Sequence, residues 1–328
     1  MKVLFVVKKR INYGASYGLI NSARFVSNFL NHAGIESKVT EAKDANAIDK
    51  IVTEYNPSHV IIEALWVTPE KFEELLKKPR HKNREWIVRL HSRLPFLATE
   101  GIAIEWLKKY KDITIAPNVS ELANDLKQTL NLDTAYLPNI YYPYEYKKIP
   151  KQEKDSDFID IGCFGAVRPM KNHLSQAVAA VRFANSEELI CRFHINATRL
   201  EQGGESVIKN LRNFFGDQEH QLVEHDWLTH EDFDTLVQQM DIGLQVSLTE
   251  TFNVIAADFI VNSIPIVGSK EIPFLPWLFI ADPNSTDSIT DQLRFAWSFP
   301  GYNLQWMSVW SLDSYNKEAE KQWLHFLD

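Results

Sequence analysis

Two cysteines, Cys163 and Cys191, among 328 residues are too few for a disulfide framework or a thiolate metal cluster, and they suit a reducing cytoplasm. No apolar run is long enough to span a bilayer. Met1-Lys2 leads directly into VLFVV, so no secretory leader is expected. Glycine is scarce, at 12 residues, and no G-x-G-x-x-G, P-loop or zinc spacing appears. What remains is an ordinary globular composition, 45% hydrophobic and 24% charged, long enough for two domains with separate cores. The net charge of −8 is unevenly spread: residues 1–150 carry 22 basic and 17 acidic side chains, and the rest carry 13 and 26. The mildly basic half is free to meet an anionic partner.

Strand and helix patterns alternate along the whole chain, which predicts an α/β protein of two Rossmann-like halves. Val3–Val7 reads as a buried strand, then a loop ending GASYG, then a helix through Leu19, Ala23, Val26 and Leu30. Strands at Ser37–Thr40, His59–Leu65, Trp86–Leu90, Ile113–Ala116 and Ala135–Leu137 complete the first half. We expect an N-terminal domain over 1–143 and a polar hinge over 144–157. A second domain over 158–302 and a long Trp-rich helix over 303–328 follow. The loop Gly14-Ala15-Ser16-Tyr17-Gly18 also fits G-x-S-x-G, but six residues separate it from its strand, too many for a nucleophile elbow. Its glycines better serve close approach to an acceptor or to phosphate.

The organising stretch is Ser247–Ser269, SLTETFNVIAADFIVNSIPIVGS. Glu250 ends a polar loop, Thr251 is placed to cap, Phe252–Val261 has helical apolar spacing, and Ile264–Val267 reads as a short strand. Glu250 and Asp258 lie a little over two turns apart. These residues resemble the E-x7-E region of retaining GT-B glycosyltransferases, with Asp258 standing where the family usually has Glu. The resemblance implies two Rossmann-like domains facing a central cleft, with the nucleotide-sugar donor on the C-terminal one and the acceptor on the N-terminal one. It implies that Glu250 lies beside the donor sugar, that Asp258 holds the ribose, that the amides of Phe252 and Asn253 face sugar or phosphate, and that Thr251 belongs to the same donor site.

The loop GAVRPMKN, residues 165–172, resembles the family's glycine loop with Arg168 and Lys171 three apart. Two cations there can neutralise a diphosphate leaving group as the glycosidic bond breaks. The resemblance also places a histidine, here His91, at the end of an N-terminal strand beside the donor sugar. Ser92 and Arg93 share that position and suit phosphate or acceptor. Front-face attack assisted by the leaving phosphate is the implied route to retention, and no enzyme nucleophile is named. Asp155-Ser156-Asp157 and Asp232-Phe233-Asp234 are D-x-D strings outside any metal-friendly context. No metal or cofactor is therefore expected, and the donor, most simply a UDP-sugar, is a substrate.

For the acceptor, the basic run Lys77-Lys78-Pro79-Arg80-His81-Lys82-Asn83-Arg84 and Lys8-Lys9-Arg10 suggest a phosphate backbone. The compact, glycine-poor chain is similar to phage-type enzymes that glycosylate hydroxymethylated pyrimidines in DNA, which would flip the target base outward in the host cytoplasm. Other readings are a saccharide or lipid acceptor, a nucleotide-sugar epimerase, or a non-catalytic binding protein of the same fold.

Overall fold

A computed structural model describes residues 1–10, 14–15, 17–142, 157–298 and 303–328. Ser16 and the expected hinge, apart from Asp157, lie outside the described residues. The chain forms two compact units, Met1–Tyr142 with Asn316–Asp328, and Pro143–Tyr315.

In the first unit, β1 (Lys2–Arg10) is followed by β2 (Gly14–Ala15), α1 (Tyr17–His32), β3 (Glu36–Ala42), α2 (Ala47–Tyr55) and β4 (His59–Glu63). Then come α3 (Pro69–Leu76), β5 (Glu85–Leu90), α4 (Leu94–Leu97), α5 (Ala103–Lys109), β6 (Thr114–Pro117) and α6 (Ser120–Leu130). The strands β3-β1-β4-β5-β6 lie parallel, and β2 pairs antiparallel with the end of β1. Leu4, Val6, Val60, Ile62, Trp86 and Val88 belong to one buried cluster. Strands buried on both faces read as continuous apolar runs, as VLFVV and VII do here.

The second unit holds β7 (Phe158–Gly162), α7 (His173–Ser186), β8 (Ile190–Asn196), α8 (Gly204–Phe215), β9 (Gln221–His225) and α9 (His230–Val237). After these come β10 (Ile242–Gln245), α10 (Val254–Val261), β11 (Ile266–Gly268) and α11 (Thr286–Trp297). All five strands are parallel, in the order β11-β10-β7-β8-β9. The order reverses between β7 and β10, and ligands of open α/β sheets bind beyond the strand ends at such a switch point. A Cβ on Gly243 would meet Phe259 at 2.6 Å, so glycine in β10 is what lets α10 lie close against the sheet.

The last helix, α12 (Trp306–Leu327), begins in the second unit and ends in the first. Phe5 packs on Trp323 at 5.8 Å between ring centroids. Among the described residues no helix is long and apolar enough to cross a membrane.

Two local expectations need correction. The helix expected from Phe252 begins at Val254, and its cap is Asn253, whose side chain accepts from the amide of Ala256 at 2.9 Å. Thr251 is not the cap: Asn253 adopts φ 68°, a left-handed turn that ends the loop two residues later. The strand expected at Ala135–Leu137 is only an extended segment. Its amides reach Ile115 and Pro117, with a single bridge at Thr134, and Pro138 cannot continue the ladder.

Candidate active site

Two loops flank the switch point of the second unit. The loop after β7 carries Gly165, Arg168 and Lys171; the loop after β10 carries Ser247, Glu250 and Asn253. Gly165 sits at φ 115°, a conformation closed to L side chains, and its amide donates to Asn196 Oδ1 at 2.9 Å. The loops are tied together by backbone and amide bonds. Leu248 N donates to Met170 O at 3.0 Å, Asn172 Nδ2 donates to Val246 O at 3.2 Å, and Val246 N donates to Gln176 Oε1 at 2.7 Å.

This bracing brings Lys171 and Glu250 into direct contact: the lysine ammonium pairs with Oε1 of Glu250. Both side chains are mostly buried, 11% and 9% exposed respectively. The same oxygen accepts from Ser247 Oγ at 3.1 Å and from Asn253 Nδ2 at 3.2 Å. Arg168 pairs instead with Glu201 at 3.4 Å, and Glu201 is shared with Arg199 at 2.7 Å. Arg199 in turn lies over the ring of Trp227, 4.6 Å from its centre. Each cation of the R-x-x-K loop thus carries a carboxylate partner. His173, buried at the start of α7, is pushed down to about 3 by burial and then by the charges of Lys171 and Arg168.

Asp258 is buried within α10, and its carboxylate lies 3.4 Å from His230 Nε2. Burial pulls the His230 imidazole down, but Asp258 and Asp234 outweigh it and leave it above the ordinary range. Phe252 is a core anchor, packed on Phe274 at 4.8 Å and Tyr315 at 5.5 Å.

In the first unit, His91 follows β5 and hydrogen-bonds through Nε2 to Glu63 at the end of β4. Glu63 also takes Arg89 at 3.1 Å, and both of those side chains are fully buried. Arg89 donates further to the carbonyls of Leu137 and Pro138, and its guanidinium lies 5.1 Å from the ring of Trp323. Burial raises Glu63, but Arg89 and His91 outweigh it and hold the carboxyl below its usual range. Burial also lowers His91, more than Glu63 raises it. Arg93 turns to Glu121 at 2.8 Å. Gly14 lies in β2, opposite Arg10, and Gly18 is the second residue of α1.

No family model and no curated protein matches the chain. Solved structures do. The E. coli trehalose-6-phosphate enzyme structure, bound with UDP-2-fluoro glucose, superposes with a TM-score of 0.71 at 12% identity, covering 100% of this chain and 98% of that one. Sucrose-phosphate synthase from Thermosynechococcus elongatus gives 0.71 at 11%, covering 100% and 98%. Anabaena HepE, in complex with UDP and glucose, gives 0.65 at 14%, covering 99% and 100%. The chain has the GT-B fold.

In this GT-B chain the sequence-derived candidates fall into separate groups. Gly165, Lys171, Glu250 and Asn253 meet at one switch point, with Arg168 on the same loop. Asp258 faces His230. His91 and Arg93 belong to the other unit, paired with Glu63 and Glu121. Several partners escape sequence reasoning: Glu201, Arg199, His230, Glu63 and Arg89. Gln245 left a faint signal as the polar end of the apolar strand IGLQ, and Arg89 as a cation inside WIVRL.

Part of the basic run has local partners. Lys78 and Arg80 both bind Asp49, at 2.9 and 2.5 Å, and His81 is buried against the same carboxylate at 2.8 Å. Arg84 donates to Asn56 at 2.9 Å and to the carbonyl of Pro57.

Proposed function

We propose that this protein is a glycosyltransferase that moves a sugar from a UDP-sugar to a hydroxyl of a saccharide acceptor, with retention. The observation that carries the reading is the Lys171–Glu250 pair at the switch point, braced by two loops. Lys171 and Arg168 exchange their carboxylates for the donor diphosphate and neutralise the charge that develops on the leaving group. Glu250 is left beside the sugar to steady the positive charge of the breaking glycosidic bond. Asp258 accepts from the ribose hydroxyls. In this account the acceptor hydroxyl attacks the anomeric carbon on the leaving-group face, the C–O bond to phosphate breaks, and the departing phosphate takes the acceptor's proton.

Support for UDP comes from the nucleotide in the E. coli and Anabaena structures. For the acceptor, the trehalose-phosphate and sucrose-phosphate enzymes point to a phosphorylated sugar. On the first unit, Trp66 offers an aromatic face with Lys8 5.8 Å from its ring centre, and Arg93 and His91 lie at the end of the neighbouring strand. The alternative acceptor, a hydroxymethylated pyrimidine in DNA, drew on the basic run, whose Lys78, Arg80 and Arg84 have local partners. A cytoplasmic setting suits the two buried free thiols.

The test is incubation with a panel of UDP-sugars and two acceptor sets, sugar phosphates and hydroxymethylcytosine-containing duplex DNA, followed by mass analysis. A sugar phosphate heavier by one hexose supports the reading. A heavier nucleoside would move the acceptor to DNA, and release of UDP with neither product would mark an enzyme of another acceptor class. No turnover of any UDP-sugar would overturn the UDP-sugar transferase reading.

A further inference from the structure

Asn253 does three things with one side chain. Its backbone sits at φ 68°, ψ 84°, a region that glycine enters freely and asparagine better than most residues. Glycine would satisfy the backbone alone. The asparagine adds a cap, its Oδ1 accepting from Ala256 N at 2.9 Å, and this fixes which end of the amide points where. With the oxygen committed to the helix, the NH2 must face the loop. There it donates to Gln245 Oε1 at 2.9 Å and Glu250 Oε1 at 3.2 Å. Gln245 is itself oriented, because its NH2 donates to Phe164 O at 3.1 Å, which turns its oxygen to Asn253. Donation therefore runs outward from Asn253, on one side to Glu250 and on the other through Gln245 to Phe164 O in the loop after β7.

We infer that Asn253 is a positioning residue for Glu250, holding that carboxylate in place when Lys171 is drawn away to the donor's phosphates. Ser247, Lys171 and Asn253 all address Oε1 of Glu250. Departure of Lys171 removes the charge partner but leaves the two neutral donors. Without them, the carboxylate that loses its ammonium would have nothing to fix its orientation beside the sugar. The hand-over of Lys171 rests on the transferase reading; the hold of Asn253 on Glu250 does not.

Two variants separate this role. Asn253→Asp keeps the tolerated backbone and the acceptor that caps α10, loses the hydrogens that reach Glu250 and Gln245, and sets a second carboxylate beside Glu250. Asn253→Gly keeps the backbone and loses cap and donors without adding charge. The first measurement needs no turnover: the side-chain carboxyl carbon-13 resonance of Glu250, assigned by Glu250→Gln, with UDP present. We expect that resonance to be displaced or broadened in both variants relative to the parent. The second is kinetic: in both variants kcat falls at least about 30-fold with donor KM little changed. An unchanged Glu250 resonance in both variants would overturn the inference. Absence of UDP binding by the parent protein would count against the transferase reading instead, and the Glu250 resonance would still decide the role of Asn253.

Discussion

Two carboxylate–cation clusters stand at strand ends of the two sheets, and they differ in one respect that decides what each can do. Glu63–Arg89 in the first unit is sealed, both side chains 0% exposed, with the guanidinium's other donors on main-chain carbonyls and Asn139. Lys171–Glu250 in the second unit is mostly buried but still about a tenth exposed, 11% and 9%, on loops at a switch point. A sealed pair has no ligand to exchange for and can only hold something else, here His91. A pair reachable from solvent can trade one partner for a phosphate. A buried ion pair contributes little net stability while intact and costs a great deal when one member is removed, so the two clusters should respond to mutation in opposite ways.

The largest effect should come from breaking the sealed pair. Arg89→Met strands the Glu63 carboxylate in the core and should cost about 3–5 kcal/mol of stability, read from urea unfolding. Arg93→Ala, which removes a cation paired with the exposed Glu121, should cost under about 0.5 kcal/mol. Equal losses for the two would erase the distinction drawn above. Glu250→Gln should do the reverse of Arg89→Met: about 100- to 1000-fold lower kcat with an unfolding midpoint close to the parent. If Glu250→Gln unfolds the protein without a specific loss of rate, the second cluster is as structural as the first.

A smaller effect separates the clusters by pH. Below its unfolded value of about 6.5, His173 takes up a proton in the unfolded chain but not in the folded one until about pH 3. The unfolded state therefore binds more protons across that window, and stability falls as pH falls through it, while the contribution is flat above. Between pH 6 and pH 4 the loss from this residue should be about 2 kcal/mol. His173→Leu should remove that slope from the pH dependence of urea unfolding and leave the high-pH plateau nearly where it was. A slope unchanged by His173→Leu would show that burial beside these cations does not keep His173 neutral.

Much of the fold is legible in the sequence because parallel strands buried on both faces are short apolar runs, and VLFVV, VII and WIV announce themselves. The switch-point loops were picked out by their resemblance to GT-B motifs, because R-x-x-K by itself is a weak signal. The partners were not. Glu201 lies 33 residues from Arg168 and Glu63 lies 26 from Arg89, distances at which only tertiary folding decides who meets whom. The helix start was misplaced because Thr251 is a good cap by type, whereas Asn253 wins by adopting a left-handed backbone that threonine avoids. The basic run shows the same limit: its charge is evident in sequence, but not that Lys78 and Arg80 both pair with Asp49, about 30 residues upstream.

The smallest predicted effect tests whether Asp258 belongs with the exchangeable cluster. A shorter acid at this position still presents two acceptor oxygens, and in the protein those lie beside His230. If Asp258 accepts from ribose, Asp258→Asn replaces a charged acceptor by a neutral one and should raise the donor KM about tenfold, or about 1.4 kcal/mol, with kcat nearly constant. The same substitution has a readout that does not depend on substrate. Burial already pulls His230 down, and Asp258 is the first of the charges that raise it. Removing that charge should therefore lower the imidazole relative to the parent, visible as an earlier loss of the charged form in proton NMR titration. A falling His230 with an unchanged KM would make Asp258 a structural partner of α9, and place it with Glu63 rather than Glu250.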